Sequence, residues 1–224
     1  MLTSAAFTAP GLFAQQLKET ATTTEGPFYP DKMPLDTDND LLIVNDAITP
    51  AVGQVTLLEG RVLSPAGIPM RNAFVEIWQV DSTGSYIHTG GRQPTGNDRN
   101  FQGYGRFLSD SKGQYFFRTI KPIEYTLINM FRAPHIHVAV SRNGKRVFTT
   151  QLLVAGHPAN ERDSVVRRLD RAALQTLLVE FKPLPGSKTG ELSASFDIVL
   201  GKTAAEGEDG RLHGIGAPQN QRRP

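Results

Sequence analysis

Two histidines stand one residue apart in the stretch RAPHIH, residues 132–137, of a chain that has only five histidines. In a β-strand, the side chains at positions i and i+2 point to the same face of the sheet. His135 and His137 would therefore aim both imidazoles at one spot. Such a pair could hold a metal ion, act as a catalytic pair, or form a polar patch on a sheet, and the pair alone leaves these alternatives open.

Two tyrosines at predicted strand ends could join the histidines. Tyr86 lies in the turn after WQVDSTGS, and Tyr125 follows the proline-containing turn of TIKPIE. A phenol, with a reference pKa near ~10, is a poor ligand until a strongly charged cation displaces its proton. Zinc prefers thiolate, imidazole and carboxylate, whereas magnesium and calcium prefer carboxylate and carbonyl oxygens. Two phenolates with two imidazoles would suit ferric iron.

The composition removes several function classes. Cysteine is absent, which excludes disulfides, thiolate metal sites and cysteine nucleophiles together. The formal net charge is only +2, so nothing in the charge balance favours a nucleic-acid partner. No stretch approaches the ~18 apolar residues that would span a membrane. A metal in this chain would have to be held by His, Tyr, Asp or Glu.

The elements that must position these residues are predicted to be mainly β-strands. Alternating or β-rich runs occur at VTLLEGRVLS, NAFVEIWQV, GQYFFRTI and ASFDIVL, with turn signals between them. HIHVAVSRNGKRVFTTQLLV is predicted to be a hairpin, because Asn-Gly is the strongest short hairpin signal. The expected fold is an antiparallel β-sandwich core with extended N- and C-terminal arms.

One segment has helical spacing. Between residues 159 and 181, apolar residues recur every four positions, and two prolines at 183 and 185 would end a helix there. We therefore predict one helical segment. The division of the chain is an N-terminal arm or export-signal remnant at residues 1–23, the sandwich domain at 24–200, and a loose C-terminal tail at 201–224. The small, apolar first sixteen residues lack the charged front half of an export signal, so both a cytoplasmic location and an exported precursor stay open.

Five stretches follow one another in an order that resembles the intradiol ring-cleavage dioxygenases, the family of protocatechuate, catechol and hydroxyquinol dioxygenases. They are TEGPFYP, VEIWQVDSTGSY, GRFLSDSKGQYFFRTIKP, RAPHIHVAV and TTQLLVAGHP. Together they span roughly residues 24–158. The resemblance implies a non-haem Fe(III) enzyme that cleaves a small aromatic ortho-diol with O₂ between its two hydroxylated carbons, giving a muconic-acid derivative. A homo-oligomer is a further option that the family suggests.

The resemblance also implies roles for individual residues. Tyr86 and His137 would be the axial iron ligands, with Tyr125 and His135 equatorial, and Tyr86 would also take a proton from the diol. Arg132 would lie over the substrate ring, where it would stabilise negative charge. The remaining implied substrate-binding residues are Gln151, beside the ring, and Tyr29, near the mouth of the site.

The sequence departs from the family around Tyr125, which no proline follows. The short run TLINMF after Tyr125 is mostly apolar. A wall made of such residues offers no cation to a ring carboxylate, so uncharged catechols are expected to be cleaved at least as efficiently as protocatechuate. Two alternatives remain: a non-enzymatic β-sandwich binding module, or a site of the same shape that uses another metal, such as zinc or copper.

Overall fold

The computed structural model describes residues 16–45 and 48–201, together with the backbone of residues 205–206 and 212–213. The regular secondary structure of these residues is mainly β-strand, as predicted. The strands are β1 (Val55–Leu63), β2 (Phe74–Trp78), β3 (Tyr104–Leu108), β4 (Gln114–Ile120), β5 (Tyr125–Leu127), β6 (Met130–Arg132), β7 (His135–Arg142), β8 (Lys145–Val154), β9 (Leu178–Val179), β10 (Phe181–Pro183), β11 (Leu192–Ser195), β12 (Ile198–Val199), β13 (Ala205–Glu206) and β14 (Leu212–His213).

The first sheet is centred on β1, which pairs with β4 on one side and with β11 and β12 on the other. The β1–β4 pair is antiparallel, but β11 and β12 run parallel to β1, so the sheet is mixed. Phe196 passes between β11 and β12 directly against β1. A Cβ atom at Gly60 would lie 2.0 Å from the Phe196 carbonyl oxygen, so this close passage requires glycine.

The second sheet has the order β3-β2-β7-β8-β9 and carries the histidine pair. The turn between β7 and β8 is formed by Asn143 and Gly144, both with positive φ, as the Asn-Gly signal predicted. Alternate residues of β7 face opposite sides of this sheet. Ile136, Val138 and Val140 belong to the main core between the two sheets. His135 and His137 consequently project from the outer face of the sheet, away from that core.

Loops and a small hairpin cover this outer face. A second cluster of buried side chains lies there, separate from the main core, and consists of Phe28, Trp78, Val80, Tyr86, Tyr104, Tyr125, Leu127 and Ala139. The hairpin is formed by β5 and β6, with Tyr125 directly opposite Arg132. The described N-terminal residues, 16–45, contain no helix or strand and run along both sheets, as shown by the bonds from Thr20 N to Val199 O and from Thr23 N to Thr149 O.

The predicted helical segment is present within residues 159–181, but it is shorter than the spacing suggested. That region contains two short 3₁₀ turns, Pro158–Glu161 and Val166–Arg168, and the five-residue helix α1, Arg171–Gln175. Two aspartate side chains bond to the backbone where new turns begin. Asp163 accepts from the Val165 N–H, and Asp170 caps α1 by accepting from the Ala173 N–H. Beyond α1 the chain pairs with β8 as β9 instead of continuing as a helix.

Two of the expected parts fall partly outside the described residues. The first fifteen residues of the N-terminal arm lie outside the described residues. So does most of the tail beyond residue 201, of which only the antiparallel pair of β13 and β14 is described. Within the described part of the chain, no helix has both the length and the apolar composition to cross a lipid bilayer.

The turn of the β5–β6 hairpin is strained, because Ile128 has a φ of 48° and Asn129 a φ of 59°. A β-branched residue is disfavoured in this left-handed region. Since Ile128 is 74% exposed, packing of its side chain does little to offset this backbone strain. We expect Ile128→Asn to raise the free energy of unfolding by about 1 kcal/mol, measured by urea denaturation.

The control for this substitution is Ile68→Asn, at an exposed isoleucine without positive φ. This variant should leave the urea midpoint nearly unchanged. A midpoint for Ile128→Asn at or below that of the unmodified chain would show that the turn is not strained.

Candidate active site

Four side chains from three parts of the chain converge on the outer face of the second sheet. His135 and His137 come from β7, as the alternation of the strand predicted. Tyr125 begins β5, in the hairpin that covers the sheet. Tyr86 comes from the loop after β2, and its backbone N–H donates to the Gly91 carbonyl. All four side chains are buried.

The polar atoms of these residues surround one point. The Tyr86 hydroxyl oxygen lies 2.8 Å from the Tyr125 hydroxyl oxygen, 3.0 Å from His137 Nε2 and 3.3 Å from His135 Nε2. The two Nε2 atoms are 3.2 Å apart. His135 Nδ1 lies 2.6 Å from the Ala133 carbonyl, which requires a proton on Nδ1 and leaves the Nε2 lone pair facing the centre. Converging lone pairs in a buried site are the arrangement a cation would stabilise.

Burial determines the protonation of this cluster. Burial, and then the neighbouring Tyr125, raises the pKa of Tyr86 well above its ordinary value. Burial raises the pKa of Tyr125 too, although Arg132 opposes this. Burial and the charge of Arg132 lower the pKa of His135 to about 3, and burial and His135 lower the pKa of His137. Without a cation, the site therefore holds neutral imidazoles and protonated phenols, so a bound metal must displace the phenolic protons.

Arg132 lies beside the cluster and is held on two sides. Its Nε donates to Asp163 Oδ2 at 3.0 Å, and its Nη2 donates to Gln151 Oε1 at 2.5 Å. The Gln151 Nε2 donates in turn to the Thr24 carbonyl at 2.8 Å, which ties the N-terminal segment to the site. The structure therefore brings Arg132 and Gln151 together beside the four-residue cluster, and their roles toward substrate remain predictions.

Asp163 was not singled out from the sequence. Burial alone would raise its pKa, but the Arg132 charge and the hydrogen bonds from the Ala133 and Val165 N–H groups outweigh this and hold the pKa below its usual value. The only sequence signal is an aspartate that precedes Ser-Val, which is typical of a local turn cap and says nothing about a distant arginine.

Tyr29 lies one layer behind the cluster. Its hydroxyl donates to Glu76 Oε1 at 2.6 Å, and Arg146 also bonds Glu76. The Tyr29 ring packs edge-on against Trp78 at 5.0 Å, and Trp78 stacks nearly parallel on His137 with ring centroids 4.8 Å apart. Tyr29 thus reaches His137 only through the indole, and a direct role toward substrate remains a prediction.

The other described histidines lie outside the cluster. His88 Nδ1 accepts from the Gly90 N–H, and His157 Nδ1 accepts from the Ala159 N–H, so each caps a 3₁₀ turn. Gly26 packs directly on His137, because a Cβ atom there would lie 3.3 Å from His137 Cε1 and the residue has a φ of 71°. Among the described residues, no three His, Asp or Glu side chains gather at one point. These residues therefore form no metal site built from three or more such ligands.

Comparisons with known proteins assign this mainly β chain, with its buried pair of tyrosines and pair of histidines, to the ring-cleavage dioxygenases. The sequence model of the Dioxygenase family (Dioxygenase_C) matches residues 24–202. The chain belongs to the intradiol ring-cleavage dioxygenase family, and it is an enzyme that cleaves catechol-type rings.

Individual relatives support this assignment. The protocatechuate 3,4-dioxygenase beta chain of Burkholderia cepacia is 34% identical over 191 residues, which are 82% of this chain and 80% of that protein. The catechol 1,2-dioxygenase of Acinetobacter baylyi is 35% identical over 62% of this chain, but the match spans only 47% of that enzyme.

Solved structures of the class resemble the chain as well. The catechol 1,2-dioxygenase structure from Acinetobacter sp. ADP1 has a TM-score of 0.66 and 27% identity, covering 92% of this chain and 67% of that one. The dioxygenase domain of a carbohydrate-binding fusion from Streptomyces sp. SirexAA-E has a TM-score of 0.60 and 27% identity, covering 82% of this chain and 99% of that domain.

Proposed function

We propose that the chain is a non-haem Fe(III) dioxygenase that cleaves an uncharged catechol between its hydroxylated carbons, with both atoms of O₂ entering a muconic-acid product. The observation that carries this proposal is the buried convergence of two phenols and two imidazoles. The donor set fits ferric iron, because two phenolates would leave only a single positive charge to be balanced. Bound iron would supply Lewis acidity toward the diol.

The chain's own residues supply the remaining functions. His135 presents Nε2 to the metal, because its Nδ1–H bond to Ala133 fixes the tautomer. Tyr86 Oη accepts one proton of the diol when the substrate binds. Arg132, already oriented by its partners, stabilises the negative charge that develops on the ring. The loops and hairpin over the sheet keep bulk water from the reacting atoms.

The metal and its colour test this proposal directly. Purified protein loaded with iron should be reddish, because phenolate-to-Fe(III) charge transfer absorbs visible light, and it should consume O₂ stoichiometrically with catechol. Metal content, the visible spectrum and oxygen uptake should be measured on the same sample. A colourless protein that is saturated with zinc, and that iron does not activate, would contradict the proposal.

Substrate choice depends on the β5–β6 hairpin. Of the apolar residues predicted to form its wall, Leu127 is buried beside the tyrosines, whereas Ile128 and Met130 are exposed. Phe131 is covered by the guanidinium of Arg162, whose Cζ lies 4.4 Å from the ring centroid. Contrary to the expectation of a wall without a cation, the Arg162 guanidinium therefore lies against the hairpin, in addition to Arg132 of β6 itself.

We expect catechol and 4-methylcatechol to be cleaved with a kcat/KM at least equal to that for protocatechuate. Arg132 is engaged by Asp163 and Gln151, and Arg162 is stacked on Phe131, so a ring carboxylate would be left unpaired, which costs much more than burying a methyl group. The comparison should use one pH and one enzyme preparation. A preference of tenfold or more for protocatechuate would overturn this prediction. The Arg162→Gln variant would then show whether Arg162 is the partner of the carboxylate, since only protocatechuate turnover should fall.

A further inference from the structure

The Asp163 carboxylate is fully buried and is shared by two separate parts of the chain. Its Oδ2 accepts from Arg132 Nε at 3.0 Å and from the Ala133 N–H at 2.8 Å. Its Oδ1 accepts from the N–H groups of Val165 at 2.7 Å and Val166 at 3.3 Å, and so caps the following 3₁₀ turn. One oxygen thus accepts hydrogen bonds from its own loop, and the other accepts hydrogen bonds from the junction between β6 and β7.

The first group that Asp163 orients is the Arg132 guanidinium. A guanidinium has five N–H donors in a fixed plane. With Nε on Asp163 and Nη2 on Gln151, two contacts define both the position and the rotation of that plane. Tyr125 lies directly opposite Arg132 in the β5–β6 hairpin, and the guanidinium charge opposes the rise of the Tyr125 pKa that burial causes. The carboxylate also balances the buried positive charge.

The second group is the His135 imidazole, reached through one backbone residue. The Ala133 N–H is held by Asp163, and the Ala133 carbonyl accepts from His135 Nδ1 at 2.6 Å. Ala133 itself is fully buried, with little freedom to turn. Because the Nδ1 bond selects the tautomer that presents Nε2 to the cluster, the orientation of the Ala133 backbone determines how His135 can act.

We propose that Asp163 is a positioning residue for the reaction, which sets the direction of the Arg132 guanidinium and, through the Ala133 backbone, the tautomer of His135. The kinetic consequence rests on the proposed function, but the effect on the His135 tautomer does not. The hydrogen bonds of Asp163 go to Arg132 and to the N–H groups of Ala133, Val165 and Val166, and none goes to the four-residue cluster, so its positioning effect is transmitted through Arg132 and Ala133.

The kinetic test is a double-mutant cycle of Asp163→Asn and Arg132→Gln in iron-loaded enzyme. Alone, Asp163→Asn should lower kcat for catechol by about 10- to 100-fold, the range for partners that orient metal ligands. In the Arg132→Gln background the same change should cost clearly less, because the guanidinium it orients is gone. An equal loss in both backgrounds would show that Asp163 does not act through the Arg132 guanidinium, and this would overturn that part of the proposal.

Two further variants keep the test decisive. Asp163→Ser retains an oxygen that can cap the 3₁₀ turn but cannot reach Arg132, so it should fold and show the same kinetic loss if Asp163→Asn does not fold. Asp197→Asn is the matched control. Asp197 also accepts from a backbone N–H and from a guanidinium, both of Arg61, on the exposed surface. Asp163 variants with the activity of Asp197→Asn would refute the proposal.

The tautomer test uses metal-free protein and needs no activity. Long-range ¹H–¹⁵N NMR of ¹⁵N-histidine-labelled protein should show His135 as a single Nδ1–H tautomer, with a His135→Asn variant for the assignment. In Asp163→Asn or Asp163→Ser the signal should shift toward a mixture of both tautomers. An unchanged tautomer in both variants would overturn the inference about His135, even if the protein proved to have no dioxygenase activity.

Discussion

His135→Ala and Tyr125→Phe are expected to lose iron and turnover together. Each removes one of four donor atoms in a buried site, where the Tyr86 hydroxyl oxygen lies 2.8 to 3.3 Å from the other three. A bound metal that acts as a Lewis acid contributes several kcal/mol to the transition state, so turnover should fall by at least ~1000-fold. Iron content, the visible band and kcat for catechol should be measured on each variant.

His88→Ala is the control for these losses. His88 lies close in sequence to Tyr86, but its Nδ1 is engaged with the Gly90 N–H and its ring packs edge-on against Phe28. This variant should retain iron, colour and most of its turnover. If His88→Ala lost iron while His135→Ala kept it, the assignment of the donor set would be wrong.

Arg132→Gln is expected to separate metal binding from turnover. Arg132 contributes no atom to the convergent cluster, so the variant should retain its iron and its colour and should still bind catechol. Removing one preorganised charged donor should lower kcat by ~100-fold or more. Visible titration with catechol would give the affinity, and oxygen uptake would give kcat. A kcat close to that of the unmodified enzyme would reduce Arg132 to a structural role.

The same substitution also affects stability, and this must be measured alongside. Arg132 and Asp163 form a buried ion pair with side chains 6% and 0% exposed. Leaving Asp163 as an unpaired buried charge can cost about 3–5 kcal/mol. Arg61→Gln, in the exposed pair with Asp197, is the matched control and should change both stability and kcat little.

Local sequence signals predicted much of the sheet that carries the site. The two-residue alternation of β7 predicted that His135 and His137 share a face, and Asn143-Gly144 predicted the hairpin to β8. Both predictions depend only on neighbours in sequence, and for this reason they could be made without the fold. The meeting of these histidines with Tyr86 and Tyr125 was expected only from the resemblance to a family, because no local rule brings a loop and a hairpin onto the same sheet.

The short length of the helix and the unrecognised Asp163 have a common cause. Spacing of apolar residues every four positions fits a helix, but here it arises from side chains packed by two 3₁₀ turns, a short helix and a strand. Asp163 accepts from the Val165 N–H between the two 3₁₀ turns, where a continuous helix would otherwise run. The same carboxylate also accepts from Arg132, which is distant in sequence. A periodic pattern records which residues are buried, but it does not show which polar side chain redirects the backbone.

The placement of the histidines on the outer face of the second sheet also bears on how this enzyme can change over time. Along β7, the odd-numbered positions 135 and 137 face the reacting groups, while the even-numbered positions 136, 138 and 140 face the main core. A substitution at an even position therefore affects mainly the stability of the fold, whereas one at 135 or 137 affects mainly the activity. Exposed positions of the hairpin above the outer face, such as Met130, can change the ring that the site accepts without loosening the two sheets, whereas Arg132 of the same hairpin couples substrate turnover to stability through Asp163.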